Sequence, residues 1–422
     1  MKRLVRILVA CLALLIVFGS LPVQSNSNQV TLKYSMWDVQ LKELEEETII
    51  KPFEESHPNI KIDFQPMPWD EYWKRIQTSV AANDPYDVFY MSVAYTQEFA
   101  RKGMIMNLQP YLDESVDLRT LTEFDAVLDI LRYEGDLYAF PYAWVCSLLY
   151  YNKDMFDAAG VDYPTDDWTF DDMWDAAAQL TSGEGPGKQY GIHAHLGHPF
   201  LDAYINAAGG YVLNDDFSKC LVDEPEAVAA IQDIYNRIYV DGVSPSPASL
   251  QGQPNPFLSG RVAMYIEGSY MIDTYRTITD FDWDVVMVPK NAETDKRVVY
   301  GGPDSMVVAS NTQYPDEALE FLMYYCAYGR DISSYMGGKV PISRVLAEEE
   351  EWLEIGQKPE NKIAILKSAP FLKGADFSYK WMEWRFSIMG SELANAFEGN
   401  VTIQEACDTT AIETNKILAE IQ

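Results

Sequence analysis

Apolar and polar residues alternate from Val30 to Tyr34, the period of a half-buried strand. Met36-Trp37-Asp38 follows as a loop, and Leu41, Leu44, Thr48 and Ile49 then keep helical spacing. After the turn His57-Pro58-Asn59, Ile60, Ile62 and Phe64 alternate as a second strand. Glu71 to Ala82 reads as a helix, with Tyr72, Ile76 and Val80 four apart, and Asp87 to Met91 as a strand ending at Ser92. Strand, helix, strand, helix, strand over ~60 residues predicts a parallel sheet with crossover helices. Further on, Thr169 with Asp172 predicts a capped helix start. Pro225 opens a helix carrying Val228, Ile231, Tyr235 and Ile238 and stopping at Gly242, and Pro315 opens one ending at Gly329. Thr402 and Glu405 form a capping box for a last helix with Ile403, Cys407, Thr414 and Leu418 on one face. Ser244 to Pro256, with four prolines, reads as a loop inside a domain.

The first 25 residues form a separate object. Lys2, Arg3 and Arg6 precede an apolar stretch that runs to Phe18, and Gly19, Ser20 and Pro22 break it, as in a secretory signal peptide. Leu8-Val9-Ala10-Cys11 resembles a lipoprotein cleavage box, but the apolar stretch continues past it, so lipidation at Cys11 is not the favoured reading. The 422 residues allow two or three domains and a large core. Thirty-two basic against 64 acidic residues give a net charge of -32, which excludes a nucleic-acid binder and docking on an anionic membrane through a basic patch. Salt adaptation is an alternative source of that excess. Cys146, Cys220, Cys326 and Cys407 are widely spread, with no C-x-x-C; export permits bridges, three pairings are open, and buried free thiols are equally acceptable.

Catalytic and metal motifs are mostly absent. There is no G-x-S-x-G, no Walker-type phosphate loop and no G-x-G-x-x-G; the glycines at 183, 185 and 187 have the spacing of a flexible turn. His193, His195 and His198 could meet around a metal, yet no acid or cysteine stands at ligand spacing nearby, and a hydrogen-bonded loop is favoured. The acidic run from Asp162 to Asp175 lacks the order of a calcium loop, and Asp171 and Asp172 suit the positive end of the helix that Thr169 caps. No cofactor is expected.

Aromatic residues carry more information. A sugar offers polar hydroxyl edges and apolar C–H faces, so its site combines flat rings with Asp, Glu, Asn or backbone groups. The chain has 10 Trp and 27 Tyr, often beside turns and acids: Trp37-Asp38, Trp69-Asp70, Tyr142 with Trp144, Ser269-Tyr270, and Trp381 with Trp384, whose spacing puts them on one helix face. Each could equally be core.

The order of segments resembles the maltose-binding-like family 1 solute-binding proteins of sugar ABC importers. Phe53-Glu54 with His57-Pro58-Asn59-Ile60-Lys61-Ile62 resembles the first helix-to-strand junction, and Asp84-Pro85-Tyr86-Asp87-Val88 the Pro-Asp-Val strand. The stretches Gly135-Asp136-Leu137-Tyr138-Ala139-Phe140-Pro141-Tyr142 and Leu149-Tyr150-Tyr151-Asn152-Lys153-Asp154-Met155-Phe156 are the most recognisable. Phe257-Leu258-Ser259-Gly260-Arg261-Val262-Ala263-Met264 with Gly268-Ser269-Tyr270 resembles the Gly-Lys-x-Ala-Met…Gly-x-Trp segment, with Tyr270 in place of the usual Trp. The matches run from about residue 30 to the end.

The resemblance implies an α/β, two-lobe periplasmic-binding-protein fold of type II kind, each lobe a sheet flanked by helices. The lobes are expected at 26–141 with 289–335 and at 142–288 with 336–422, joined by crossings near Pro141–Trp144, Val285–Pro289 and Tyr335–Pro341. It implies a monomeric, exported, non-enzymatic receptor, in the periplasm or on the outer face of the membrane, for a small carbohydrate delivered to ABC permease subunits. Implied ligand residues are Trp37, Asp38, Tyr142, Trp144, Tyr270, Gly301 and Gly302, with Trp69, Asp70, Ser92, Tyr204, Trp381 and Trp384 from position in the fold. The alternatives are a secreted glycoside hydrolase, with two carboxylates ~5–9 Å apart, and a binder of a phosphorylated or acidic solute, which needs an Arg or Lys cluster in the cleft.

Overall fold

A computed structural model describes residues 29–114, 125–250, 252–333, 338–342, 347–348, 350–374 and 378–420. The N-terminal 25-residue segment with Cys11, and residues 335–337 of the third expected crossing, lie outside them. Strand β1 (Val30–Ser35) leads into a continuous helical run, α1, from Val39–Leu41 and Lys42–Glu45 through a π-helical turn at Glu46–Ile50 to Lys51–Ser56. The wider turn slips the 3.6-residue stripe. Thr48 is exposed, and Glu45, Ile49, Ile50 and Phe53 face inward instead. Strand β2 (Ile60–Phe64), helix α2 (Trp69–Ala81), strand β3 (Val88–Ser92) and helix α3 (Val93–Arg101) follow. Strands β2 and β3 both pair in parallel with β1, as the strand–helix alternation requires.

Strand β4 (Phe140–Asn152) is 13 residues long and buried along almost its whole length. Helix α4 (Phe170–Leu180) starts with the Thr169/Asp172 capping box read from the sequence. Next come β5 (Tyr190–His193), α5 (Pro225–Tyr239), β6 (Val262–Gly268), β7 (Trp283–Val286) and β8 (Val299–Val308). Helix α6 (Pro315–Ser333) runs through Gly329 instead of ending there; a helix already packed on a core absorbs the ~1 kcal/mol that an interior glycine costs. The short strand β9 (Val340–Pro341) and helix α7 (Ile403–Ala419), with its Thr402/Glu405 capping box, complete the scaffold. In the proline-rich stretch from Ser244 a one-turn helix forms at Pro247–Leu250.

Among the described residues the main sheet follows the path β2-β1-β3-β8-β4-β6-β5, with β7 and β9 also paired to β4, Leu372–Lys373 paired to β8, and a separate hairpin formed by Arg132–Tyr133 and Asp136–Leu137. Two apolar cores lie along it. The first gathers Leu32, Tyr34, Phe53, Ile76, Phe89, Phe140, Met306 and Phe321. The second gathers Leu149, Tyr150, Trp174, Ile231, Met264, Trp283, Cys407 and Leu418. Strand β4 passes from one to the other between Ala143 and Trp144, and β8 returns between Tyr300 and Met306. The β4–β8 register shifts between Asp304 and Ser305, so an irregularity sits at the seam. Val340 belongs to the second core and Ile342 to the first, so the chain passes between the cores again at residues 340–342.

The crossing expected at Val285–Pro289 is elsewhere. Val285, Val286, Val288 and Val299 all pack in the second core, because β7 pairs antiparallel with β4. The return to the first core is β8 itself, at residues 301–305. The family resemblance implied a crossing there, but the chain makes one more excursion before it crosses.

All four described cysteines are buried free thiols, and burial pushes Cys146 and Cys407 up to about 12, well away from reactive thiolate. Glu45 is the unexpected occupant of the first core. It is fully buried and accepts hydrogen bonds from the hydroxyls of Tyr34 (2.8 Å), Tyr90 (2.7 Å) and Tyr325 (2.5 Å). Burial raises its carboxyl from 4.5 to about 7, the tyrosine hydrogen bonds pull the other way, and Asp38 adds to the rise. Between those two values the folded chain therefore holds a proton that the unfolded chain has released. The contribution is most favourable below about 4.5 and is lost as pH rises through about 7. Replacing Glu45 by Gln is expected to remove this slope: the melting temperature of Glu45→Gln relative to the parent rises from pH 4.5 to 8. A difference constant across that range would contradict the assignment.

Candidate functional site

The strands β1, β3 and β6 release their chains toward the seam, at their carboxyl ends, where open α/β sheets place ligand crevices. A cavity of about 580 Å3 opens there, lined from both cores. Trp37 and Asp38 come from the loop after β1, Trp69 is the first residue of α2, and Ser92 ends β3 and caps α3 by accepting from the Ala94 amide. From the other side come Tyr270, in the turn Ser269–Met271 after β6, together with Trp381 and Phe386. Gly301, Gly302 and Asp304 of β8 and Lys339 beside β9 line it along the seam.

The rings form two opposed clusters. Trp37 meets Trp69 edge to face at 5.1 Å and rests on Tyr72 (5.4 Å) and Tyr90 (5.1 Å) of the first core. Across the cavity, Trp381 is perpendicular to Phe386 at 5.2 Å and to His198 at 5.5 Å. Trp69 and Tyr270 are 41% and 49% exposed, which leaves their faces free to meet a ligand. The Tyr270 hydroxyl donates to Glu267 at 2.7 Å, fixing the ring. His198 is pushed down to about 4 by burial and so presents a neutral imidazole at pH 7.

The charged part of the cavity is a triad. The Lys339 ammonium lies 2.8 Å from Asp38 Oδ2 and 2.6 Å from Asp304 Oδ2, and 3.4 Å from the Tyr142 hydroxyl. Burial works against the ammonium, but the two carboxylates outweigh it and hold its pKa above the usual lysine range. Burial raises the Asp304 carboxyl, against the pull of Lys339. One cation between two anions leaves this wall negative.

Of the residues read from the sequence, Trp37, Asp38, Trp69, Ser92, Tyr270, Gly301, Gly302 and Trp381 line this one cavity. The side chain of Asp70 lies outside the described structure. Four others are elsewhere. Tyr142 is buried behind the cavity, 4.6 Å from Tyr90 and under Lys339. Trp144 is fully buried where β4 enters the second core. Tyr204 accepts from Trp174 Nε1 and donates to Asp233, packed against that core and outside the cavity lining. Trp384 is fully buried and donates to Ser378, because the chain there is π-helical (Glu383–Met389) and a three-residue spacing does not keep it beside Trp381.

Gly301 also has a different reason from the one expected. A Cβ there would come 2.1 Å from the Val145 carbonyl oxygen, so the glycine serves the close approach of β8 to β4 rather than that of a ligand. Sequence reasoning missed Asp304, Lys339, His198, Tyr300 and Phe386. The first two had a signal: Asp304 follows Gly301-Gly302-Pro303, and Lys339 follows Gly338, whose missing side chain lets the backbone reach the Ser269 carbonyl. The three histidines form no metal centre. His195 accepts from the Gly197 amide and bonds the Ile266 carbonyl, and among the described residues no three His, Cys, Asp or Glu side chains are grouped to hold an ion.

Residues 48–352 match the family described as bacterial extracellular solute-binding protein, and the chain belongs to that family. A putative binding protein of Brucella abortus (strain 2308) is 26% identical over 286 residues, 65% of this chain and 67% of that one. The maltotriose-binding protein of Pyrococcus abyssi is 23% identical over 64% of this chain and 56% of its own. The fold is that of an ABC substrate-binding protein of Listeria monocytogenes solved with cycloalternan (TM-score 0.81, 24% identity, 93% of this chain and 99% of that one).

The geometry separates two kinds of tryptophan. Trp144→Ala is expected to cost about 3–5 kcal/mol through the cavity it leaves in the second core, seen as a lowered denaturation midpoint. Trp69→Ala, at an exposed position, is expected to leave that midpoint within about 0.5 kcal/mol. Equal losses for both would contradict the placement.

Proposed function

We propose that this chain is an exported receptor that binds a neutral oligosaccharide between two lobes, without turnover, and hands it to an ABC importer in the membrane. The observation that carries this is the composition of the seam. Aromatic faces from both cores converge on one cavity whose wall carries the carboxylates of Asp38 and Asp304. Sugar C–H faces stack on such rings, and sugar hydroxyls donate to such carboxylates. A volume of about 580 Å3 is within the range of small-molecule sites, about 300–1,000 Å3.

Closure follows from the same arrangement. Cores joined by β4, β8 and the segment around Lys339 rotate about those crossings, and a ligand touching both sides favours the closed state by its differential affinity. A permease then meets one closed shape. The acid excess and the neutralised Lys339 argue against a phosphorylated or acidic solute, which would face Asp38 and Asp304. The receptor acts as a monomer, in the periplasm or on the outer face of the membrane, in keeping with an extracellular family.

A thermal-shift screen of neutral mono- and oligosaccharides, with uronic acids and sugar phosphates as controls, tests the reading. A ligand that binds only the native state raises the melting temperature. Shifts are expected with neutral oligosaccharides and none with the anions; a response confined to the anions, or release of cleaved product, would contradict it. Tyr270→Ala and Trp69→Ala are each expected to weaken binding of the responding sugar by roughly 1–3 kcal/mol, from lost aromatic burial. Calorimetry giving unchanged affinity in both would remove these rings from the site.

A further inference from the structure

Lys339 sits oddly for a structural residue. Two carboxylates on one buried ammonium leave a net negative charge, and ion pairs out of water rarely repay their desolvation. Its attachments show what it joins. The Lys339 carbonyl accepts from Trp352 Nε1 at 2.8 Å, and the next residue, Val340, pairs with Trp144, so its backbone is fixed to the second core. Gly338 presses its backbone on the Ser269 carbonyl, and Ser269 Oγ donates back to the Gly338 carbonyl at 2.6 Å, one residue before Tyr270. The ammonium reaches the other way, to Asp38 beside Trp37 of the first core, and to Asp304 at the irregularity in β8. One side chain thus ties both halves of the cavity to the strand along which the chain crosses.

We propose that Lys339 is the positioning residue of this cleft: it holds Asp38 and Asp304 together as paired, ionised acceptors for sugar hydroxyls and links their grip to the relative placement of the two cores. This rests on the sugar reading above. Without the ammonium, two carboxylates share one site and each disfavours the other's charge, so one of the pair holds a proton to higher pH and, while protonated, is a donor. The acceptor pair is then lost in a pH-dependent way. The titratable groups facing the triad are Tyr142 on β4, with Tyr90 and Tyr325 behind it, and, beyond them, Glu45 on α1, whose carboxyl is raised to about 7 by burial first, with Asp38 adding to the rise. The signature is therefore the difference between the two proteins.

The test is calorimetric titration with maltotriose at pH 5.5 and pH 8 on the full chain, its Lys339→Met variant and the charge-keeping Lys339→Arg. Lys339→Met is expected to lose at least tenfold in affinity, by a factor that differs between the two pH values. Lys339→Arg is expected to recover most of the loss with the parent's pH profile. An unchanged affinity for Lys339→Met, or a loss identical at both pH values, overturns the proposal. If Lys339→Met does not fold, Lys339→Met/Asp304→Asn removes the repulsion; weakened, pH-independent binding supports the proposal and parental affinity overturns it. If maltotriose does not bind the parent, carboxyl carbon NMR of the unliganded proteins decides the inference. A new aspartate titration between pH 5 and 8 in Lys339→Met supports it, and its absence overturns it.

Discussion

The fold depends on two strands that each belong to two hydrophobic cores. Strand β4 is apolar through nearly all its 13 residues because it is buried twice, once on each side of the step from Ala143 to Trp144. Strand β8 runs antiparallel beside it and makes the same step in reverse. A core buries apolar area wherever it can, so two cores sharing strands would merge unless something at the junction prevented it. At this junction stand the Asp304 irregularity and a carboxylate–ammonium triad, and an apolar core does not accept such charges. The charged groups at the seam keep the two cores apart, and the cavity opens beside them.

Around that opening, each aromatic cluster is braced by its own core. Trp37 leans on Tyr72 and Tyr90, and the Tyr90 hydroxyl in turn is held by Glu45 in a cage of three tyrosines. Across the gap, Tyr270 is held by Glu267 and Trp381 by Phe386 and His198. Rings fixed in this way lose little rotamer freedom when a ligand stacks on them, which favours affinity. Asp38 adds to the rise of the Glu45 carboxyl, so the brace lies within electrostatic reach of the site.

Much of this was legible from residues. The period-two and 3.6-residue patterns located β1, β2, α2 and β3 closely, and the two Thr-led capping boxes started α4 and α7 where expected. The residues beside turns, Trp37, Asp38, Trp69 and Tyr270, do line one cavity. What misled was periodicity where the helix is not α: π-helical turns exposed Thr48 and buried Trp384 in the second core. Local patterns also could not say which core a residue joins. Trp144 beside a crossing and Tyr270 after a glycine turn were equal candidates, yet one lies inside a core and the other half in solvent. Lys339 and Asp304 are 35 residues apart in chain order from 304 to 339, and only the tertiary fold puts their charges together.

The central claim is that a neutral sugar lies between the two aromatic clusters and touches both cores. A crystal structure with the neutral oligosaccharide that gives the largest stabilisation tests it most directly. The account predicts density for sugar rings stacked between Trp69 on one side and Tyr270 or Trp381 on the other, with a hydroxyl on Asp38. Density on an outer face of either core, with the seam holding only solvent, would contradict it.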